Sequence, residues 1–193
     1  MEIGISNLFP NPVINAELKD VDNDALVKFA YQLRAADEEG AGKPLEDGWQ
    51  SKNVPVQSHA MYEALMQRIT AVMGECCKQL SIPKLILTKS WININPPKTY
   101  IDAHEHAGSV FSGVYYVSVP EGSGDISFMR GDVAQYFLPR GGLSSSSFLA
   151  NKASVPSKPH LLLLFPSWLS HKVSMNNSSE DRISVSFNFA FPV

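Results

Sequence analysis

Apolar positions recur at helical spacing along the first part of this chain and at strand spacing after residue 83. Leu26, Phe29, Ala30 and Leu33 fall on one face of a helix predicted over residues 22–39, with Asp22 or Asn23 as its N-cap. Tyr62, Leu65, Met66, Ile69, Val72 and Met73 form one stripe on a second helix, capped by Ser58 and running to about residue 80. Both helices are expected to cover a sheet. Ahead of them, residues 3–14 are apolar with two prolines and read as an early strand with a turn. Beyond Pro83, strands rich in β-branched and aromatic residues are predicted at 85–95, 109–119, 125–129, 161–165, 171–175 and 182–191. Residues 121–124 and 176–181 supply turns. Strands of this number and length, joined by turns, predict an antiparallel sandwich or jelly roll.

One stretch fits neither period. Residues 131–159 hold Arg140-Gly141-Gly142 and the serine run 144–147. A weakly periodic segment of this length fits a lid over a site and a surface insertion equally well. The chain therefore reads as a single domain. An N-terminal strand and two supporting helices occupy residues 1–84, and a jelly-roll core with the long 131–159 insertion occupies 85–193.

Composition narrows the function. Of 193 residues, 44% are hydrophobic and 18% charged, which suits a globular domain with a sizeable core. A net charge of −3 supplies no basic field for a phosphate backbone, so nucleic acid is not an expected partner. No apolar run is long enough to span a bilayer, and no basic-then-apolar leader opens the chain. Cys76 and Cys77 are adjacent, without zinc or disulfide spacing, and read as packing residues of a reduced, cytoplasmic protein. Trp49 and Trp168 also read as packing residues.

The candidate chemistry lies in three histidines and an arginine. On a strand His104 and His106 share a face with Asp102, while Glu105 points away. Taken alone, this pair reads more readily as two surface histidines near a strand end than as a site. His171 follows Phe165-Pro166-Ser167-Trp168 and opens the next strand. On the last strand Arg182, Ser184, Ser186 and Asn188 alternate with Ile183, Val185, Phe187 and Phe189. The apolar face is expected on the helices and the polar face on a wet cavity. If residues 177–180 form a hairpin loop, residue 171 pairs with 186 and His171 shares a face with Arg182. The two would lie roughly 13 Å apart along the strands, room for a short dicarboxylate between a metal and a guanidinium. Imidazole suits iron, zinc, copper and nickel alike, so the ligand set does not choose the metal.

In this order and spacing, His104, His171, Arg182 and Ser184 resemble the iron(II)/2-oxoglutarate-dependent oxygenases, and in particular a little-characterised branch of that superfamily. Further likeness lies in Gly48-Trp49-Gln50-Ser51, Trp91-Ile92-Asn93, His104-Glu105-His106, Ser112-Gly113-Val114-Tyr115-Tyr116-Val117 and Phe165-Pro166-Ser167-Trp168, and it is strongest over residues 85–193. The resemblance implies a double-stranded β-helix and an enzyme that uses Fe(II) and 2-oxoglutarate. It implies hydroxylation of an unidentified small-molecule or peptide substrate, with release of succinate and CO2. His104, His106 and His171 would hold the metal, and Arg182 with Ser184 would take the far carboxylate. Asn93, Asn95 and either Tyr115 or Tyr116 would complete the cofactor pocket. The departure from the family pattern is His106, which stands where most members carry a carboxylate; Asp102 is the alternative carboxylate on the same face. Two other readings compete. One is a cupin-type three-histidine metalloenzyme without an oxo acid, and the other is a non-catalytic jelly-roll binding or assembly module.

Overall fold

A computed structural model describes residues 1, 3–5, 8–42, 48–137 and 148–192. Arg140-Gly141-Gly142 and the serine run lie outside the described residues. In chain order the elements are β1 (Ile14–Glu17), α1 (Asn23–Ala36), β2 (Trp49–Gln50), α2 (Ala60–Gln79), β3 (Ile86–Asn95), β4 (Ile101–His104), β5 (Phe111–Ser118), β6 (Ile126–Met129), β7 (Lys152–Val155), β8 (Leu161–Pro166), β9 (His171–Val173) and β10 (Arg182–Ala190). Two antiparallel sheets face each other. The larger has six strands ordered β1-β8-β5-β10-β3-β2, and the smaller four ordered β4-β9-β6-β7. This is the expected jelly roll, with both helices packed on the outer face of the large sheet.

Local chemistry explains the helix ends. The Asp22 carboxylate accepts from the Ala25 N–H at 3.0 Å and caps α1. Asn23 joins the helix and pins it to the sheet instead. Its amide donates to the Val117 carbonyl at 2.7 Å, and its oxygen accepts from the Tyr115 hydroxyl at 2.7 Å. α2 starts later than Ser58 suggests, because Val56–Ser58 forms a short 3-10 turn. The His59 ring nitrogen accepts from Met61 N–H and serves as cap.

Strand alternation sorts the core into two parts. Ile183, Val185, Phe187 and Phe189 of β10 pack with Leu26, Phe29, Leu65 and Ile69 of the helices. Cys76 and Cys77 are buried there as free thiols. β8 is apolar at every position because both of its faces are covered. Leu162 and Leu164 join the helix-side core, and Leu161, Leu163 and Phe165 meet Ile126 and Phe128 between the sheets. At Gly113 of β5, any Cβ would stand 2.5 Å from both the Leu163 carbonyl and the Phe187 ring, so the strands close up only over glycine.

Four expectations change. The early strand is confined to Ile14–Glu17, and Ile3, Ile5, Leu8 and Phe9 are exposed. Pro10 and Pro12 remove backbone donors just before it. The jelly roll reaches ahead of residue 85, since β1 pairs with β8 and β2 with β3. The 131–159 stretch holds β7, an edge strand of only four residues that is exposed at its first three positions. Trp168 does not pack in a core: it is 61% exposed, and its indole donates to Asn11. Trp49 is buried as expected and donates to the Asp37 carbonyl. Among the described residues, no helix is long and apolar enough to cross a membrane.

Candidate metal centre

A cavity of about 420 Å³ opens between the sheets, and three imidazoles meet on its wall. One ring nitrogen from each of His104, His106 and His171 lies within 4.8 Å of the other two. That is close enough for one transition-metal ion to draw the three donors together.

The chain brings them together differently from a single strand face. His104 ends β4, where the register with β9 shifts between Ile101 and His104, and His104 sits directly opposite His171. His106 lies past the strand end. Its N–H donates to the Ser167 carbonyl at 2.9 Å, and its ring stacks on Trp91 at 5.7 Å. The convergence of His104 and His106 is thus the work of a tethered loop, not of strand alternation. The Asp102 carboxylate lines the cavity but is not among the converging groups.

The nitrogens available to a metal follow from the hydrogen bonds of the others. The Nδ1 of His104 meets the Asp102 carbonyl at 2.8 Å, and the Nδ1 of His171 meets the Leu169 carbonyl at 2.9 Å. A carbonyl only accepts, so each Nδ1 carries the proton and each Nε2 keeps its lone pair. Burial, and then the neighbouring imidazoles, push His106 down to about 4. Burial also takes His171 down to about 4, against the Leu169 hydrogen bond. Both rings are therefore neutral at pH 7, the state a metal requires.

The expected hairpin between His171 and Arg182 does not form. β9 pairs with β4 and β6 in the small sheet, while Arg182 stands opposite Asn95 and Ser186 opposite Trp91 in the large one. The intervening residues cross between sheets, locked by buried Asn176. Its amide donates to the Asn95 and Glu180 carbonyls, and its backbone bonds to Thr99 and Lys98. His171 and Arg182 therefore line one cavity from opposite sheets.

Arg182 is 1% exposed. Its guanidinium donates to the Ser123 carbonyl at 2.5 Å and, at 3.4 Å, to that of Gly124. The turn that presents these oxygens needs Gly124 at φ +90°, where a Cβ would fall 2.3 Å from the Ser174 carbonyl. Among the described residues, no carboxylate forms an ion pair with Arg182. Burial lowers its pKa from the usual arginine value, partly opposed by Tyr116 and Asp125. A buried cation hydrogen-bonded, among the described residues, to carbonyls alone is a costly arrangement that an incoming anion relieves.

The remaining expected pocket residues divide. Ser184 and Asn93 line the cavity beside Arg182, and the Asn93 amide donates to Ser186. Tyr116 also lines it, its hydroxyl buried and without a partner among the described residues. Tyr115 points the other way, to Asn23 and His160 under α1. Asn95 does not reach the cavity. It is fully buried beside Arg182, and neither end of its amide has a partner among the described residues.

Other contributors are given no role in the site by the sequence reading. Trp91 and Lys89 follow from the same alternation that carries Asn93. The buried Ser112 hydroxyl meets the Ser167 hydroxyl and donates to the Asn188 amide oxygen, at 2.8 Å each, a network that supports the His106 loop. The Ser123 and Gly124 carbonyls leave no trace in residue type.

The family model described as "Putative 2OG-Fe(II) oxygenase" matches residues 89–188. Solved structures show the same fold. A prolyl hydroxylase from Trichoplax adhaerens, in complex with a hypoxia inducible factor oxygen degradation domain peptide fragment, aligns with TM-score 0.69 and 12% identity, covering 93% of this chain and 83% of that one. The carbocyclase SnoK from nogalamycin biosynthesis, described as non-heme and alpha-ketoglutarate dependent, aligns with TM-score 0.68 and 13% identity, covering 93% and 79%. A Pseudomonas putida prolyl-4-hydroxylase aligns with TM-score 0.66 and 13% identity, covering 94% of each chain. No curated protein sequence matches the chain.

Proposed function

Since the chain belongs to the 2OG-Fe(II) oxygenase family, oxidoreductases whose cofactors are Fe(II) and 2-oxoglutarate, we propose that His104, His106 and His171 hold the iron and that Arg182 anchors the oxo acid in a hydroxylation reaction. The observation that carries this assignment is the buried guanidinium facing the same cavity as the histidines, with no carboxylate of its own among the described residues. The iron centre, when bound, supplies oxygen activation coupled to conversion of 2-oxoglutarate into succinate and CO2.

The residues do the rest. The two backbone-tethered imidazoles present Nε2 to the ion, and the Ser167 tether brings the third. Arg182 and the unpartnered Tyr116 hydroxyl receive the far carboxylate, with Ser184 and Asn93 alongside. Ile126, Phe165 and Val114 keep water from the deep end of the cavity. The substrate is a small molecule or a peptide, and two free buried thiols suit a reducing, cytoplasmic compartment.

The test is anaerobic addition of Fe(II) and then 2-oxoglutarate to the protein, followed by visible spectroscopy. A metal-to-ligand charge-transfer band is expected, lost in Arg182→Ala with metal binding retained. Metal binding without a band in the wild type would transfer the assignment to a three-histidine enzyme that uses no oxo acid. Absence of metal binding would leave a non-catalytic module.

A further inference from the structure

The wall formed by β3 and β10 carries a lysine and an asparagine at the end of the cavity away from Arg182. Lys89 and Asn188 are direct cross-strand partners and both line the cavity. Such neighbours have Cβ atoms about 4.5–5.5 Å apart, so their head groups can grip the two oxygens of one carboxylate. Lys89 is exposed but not free: its ammonium sits over the Trp91 ring, 5.4 Å from the centroid. Among the described residues it has no acidic partner. The Asn188 oxygen is occupied by the Ser112 hydroxyl, which fixes the amide and leaves its NH2 end as the unused donor.

Charge and distance point the same way. A dication on three neutral imidazoles, a 2-oxoglutarate dianion and the Arg182 cation leave the loaded cavity net positive. A carboxylate in place of His106 would have cancelled that charge. Lys89 adds to it at the mouth. Asp102, on the opposite wall, is the acidic group among the described lining residues. His106 stacks on Trp91, whose partner Ser186 stands one same-face step along β10 from Asn188. That step is about 7 Å.

Resting on the ligand assignment above, we propose that the oxidisable substrate is a small organic carboxylate anchored by Lys89 and Asn188. Its reacting carbon lies a few bonds from that carboxylate, toward the histidines. A basic substituent on the same molecule would face Asp102. Lys89 is thereby the residue that sets substrate charge.

The test uses the full chain loaded with redox-silent Zn(II), titrated calorimetrically first with 2-oxoglutarate and then with butyrate, its neutral isostere butyramide, or methyl phosphate. Butyrate is expected to bind at least tenfold more tightly than butyramide. Lys89→Met is expected to erase that difference, Lys89→Arg to restore most of it, and 2-oxoglutarate affinity to stay unchanged in both. Equal binding of butyrate and butyramide, or butyrate binding unaffected by Lys89→Met, would overturn the anchor. Tighter binding of methyl phosphate would overturn the carboxylate assignment. Failure of 2-oxoglutarate to bind while butyrate keeps its dependence on Lys89 would count against the cofactor reading alone.

Discussion

The two faces of β10 are one residue apart in sequence and opposite in chemistry. On the helix side Ile183, Val185, Phe187 and Phe189 fill a dry core that accounts for much of the fold's stability. On the cavity side Arg182, Ser184, Ser186 and Asn188 line a polar wall, with a guanidinium sealed at its end. The first face lowers the energy of the folded chain, and the second raises it until a ligand arrives. A strand buried on both faces can hold both because it is paired along both edges, with β3 and with β5.

Paired substitutions test that division most sharply. Phe187→Ala should destabilise the protein by about 3–5 kcal/mol in urea unfolding while leaving Fe(II) stoichiometry intact in whatever fraction stays folded. His171→Ala should do the reverse, weakening iron binding by more than about 100-fold, read by anaerobic titration, with little change in the metal-free unfolding midpoint. If the two variants fail together, the faces are not separable. Arg182→Met goes further: it should abolish 2-oxoglutarate binding and leave the ligand-free protein as stable as before or up to about 2 kcal/mol more so, because an unpaired buried charge is removed. A melting temperature that falls sharply in that variant would assign Arg182 to the structural face.

Acid should separate the faces without mutation. His106 and His171 have folded values of about 4 against an ordinary 6.5. Within that window the unfolded chain takes up protons that the folded chain refuses, so metal-free stability should fall as pH drops from 6.5 toward 4. The same loss should be absent from the His106→Ala, His171→Ala double variant, as followed by denaturation midpoints across pH. The smallest expected effect belongs to Ser167→Ala. Removal of its hydroxyl from the Ser112–Asn188 network should cost about 1 kcal/mol and weaken iron binding about tenfold or less.

What could be read from the sequence follows the same division. Alternation along residues 182–189 separated the two faces of β10, and helical spacing located both helices to within a few residues. The three histidines and Arg182 were legible as residue types in order. Their arrangement was not, because it depends on which sheet each strand joins. His171 and Arg182 are eleven residues apart in the chain yet reach the cavity from opposite sheets, through a crossover fixed by Asn176, whose turn position does not reveal that role. The edge strand β7 alternates over only four residues, too few to stand out from a loop. Asn95 shows the limit of alternation: it has the right parity to join Asn93, but it lies beyond the end of the cavity.

The hydrogen bonds of His104 and His171 have a consequence of their own. Each ring is tied to a carbonyl only two residues earlier in the chain, Asp102 and Leu169. The protonated nitrogen is therefore selected by a local contact that any backbone of the same shape would reproduce. Tautomer choice is a portable property of two short peptides, and a segment carrying it could be moved to another β-sandwich with its donor atom already chosen.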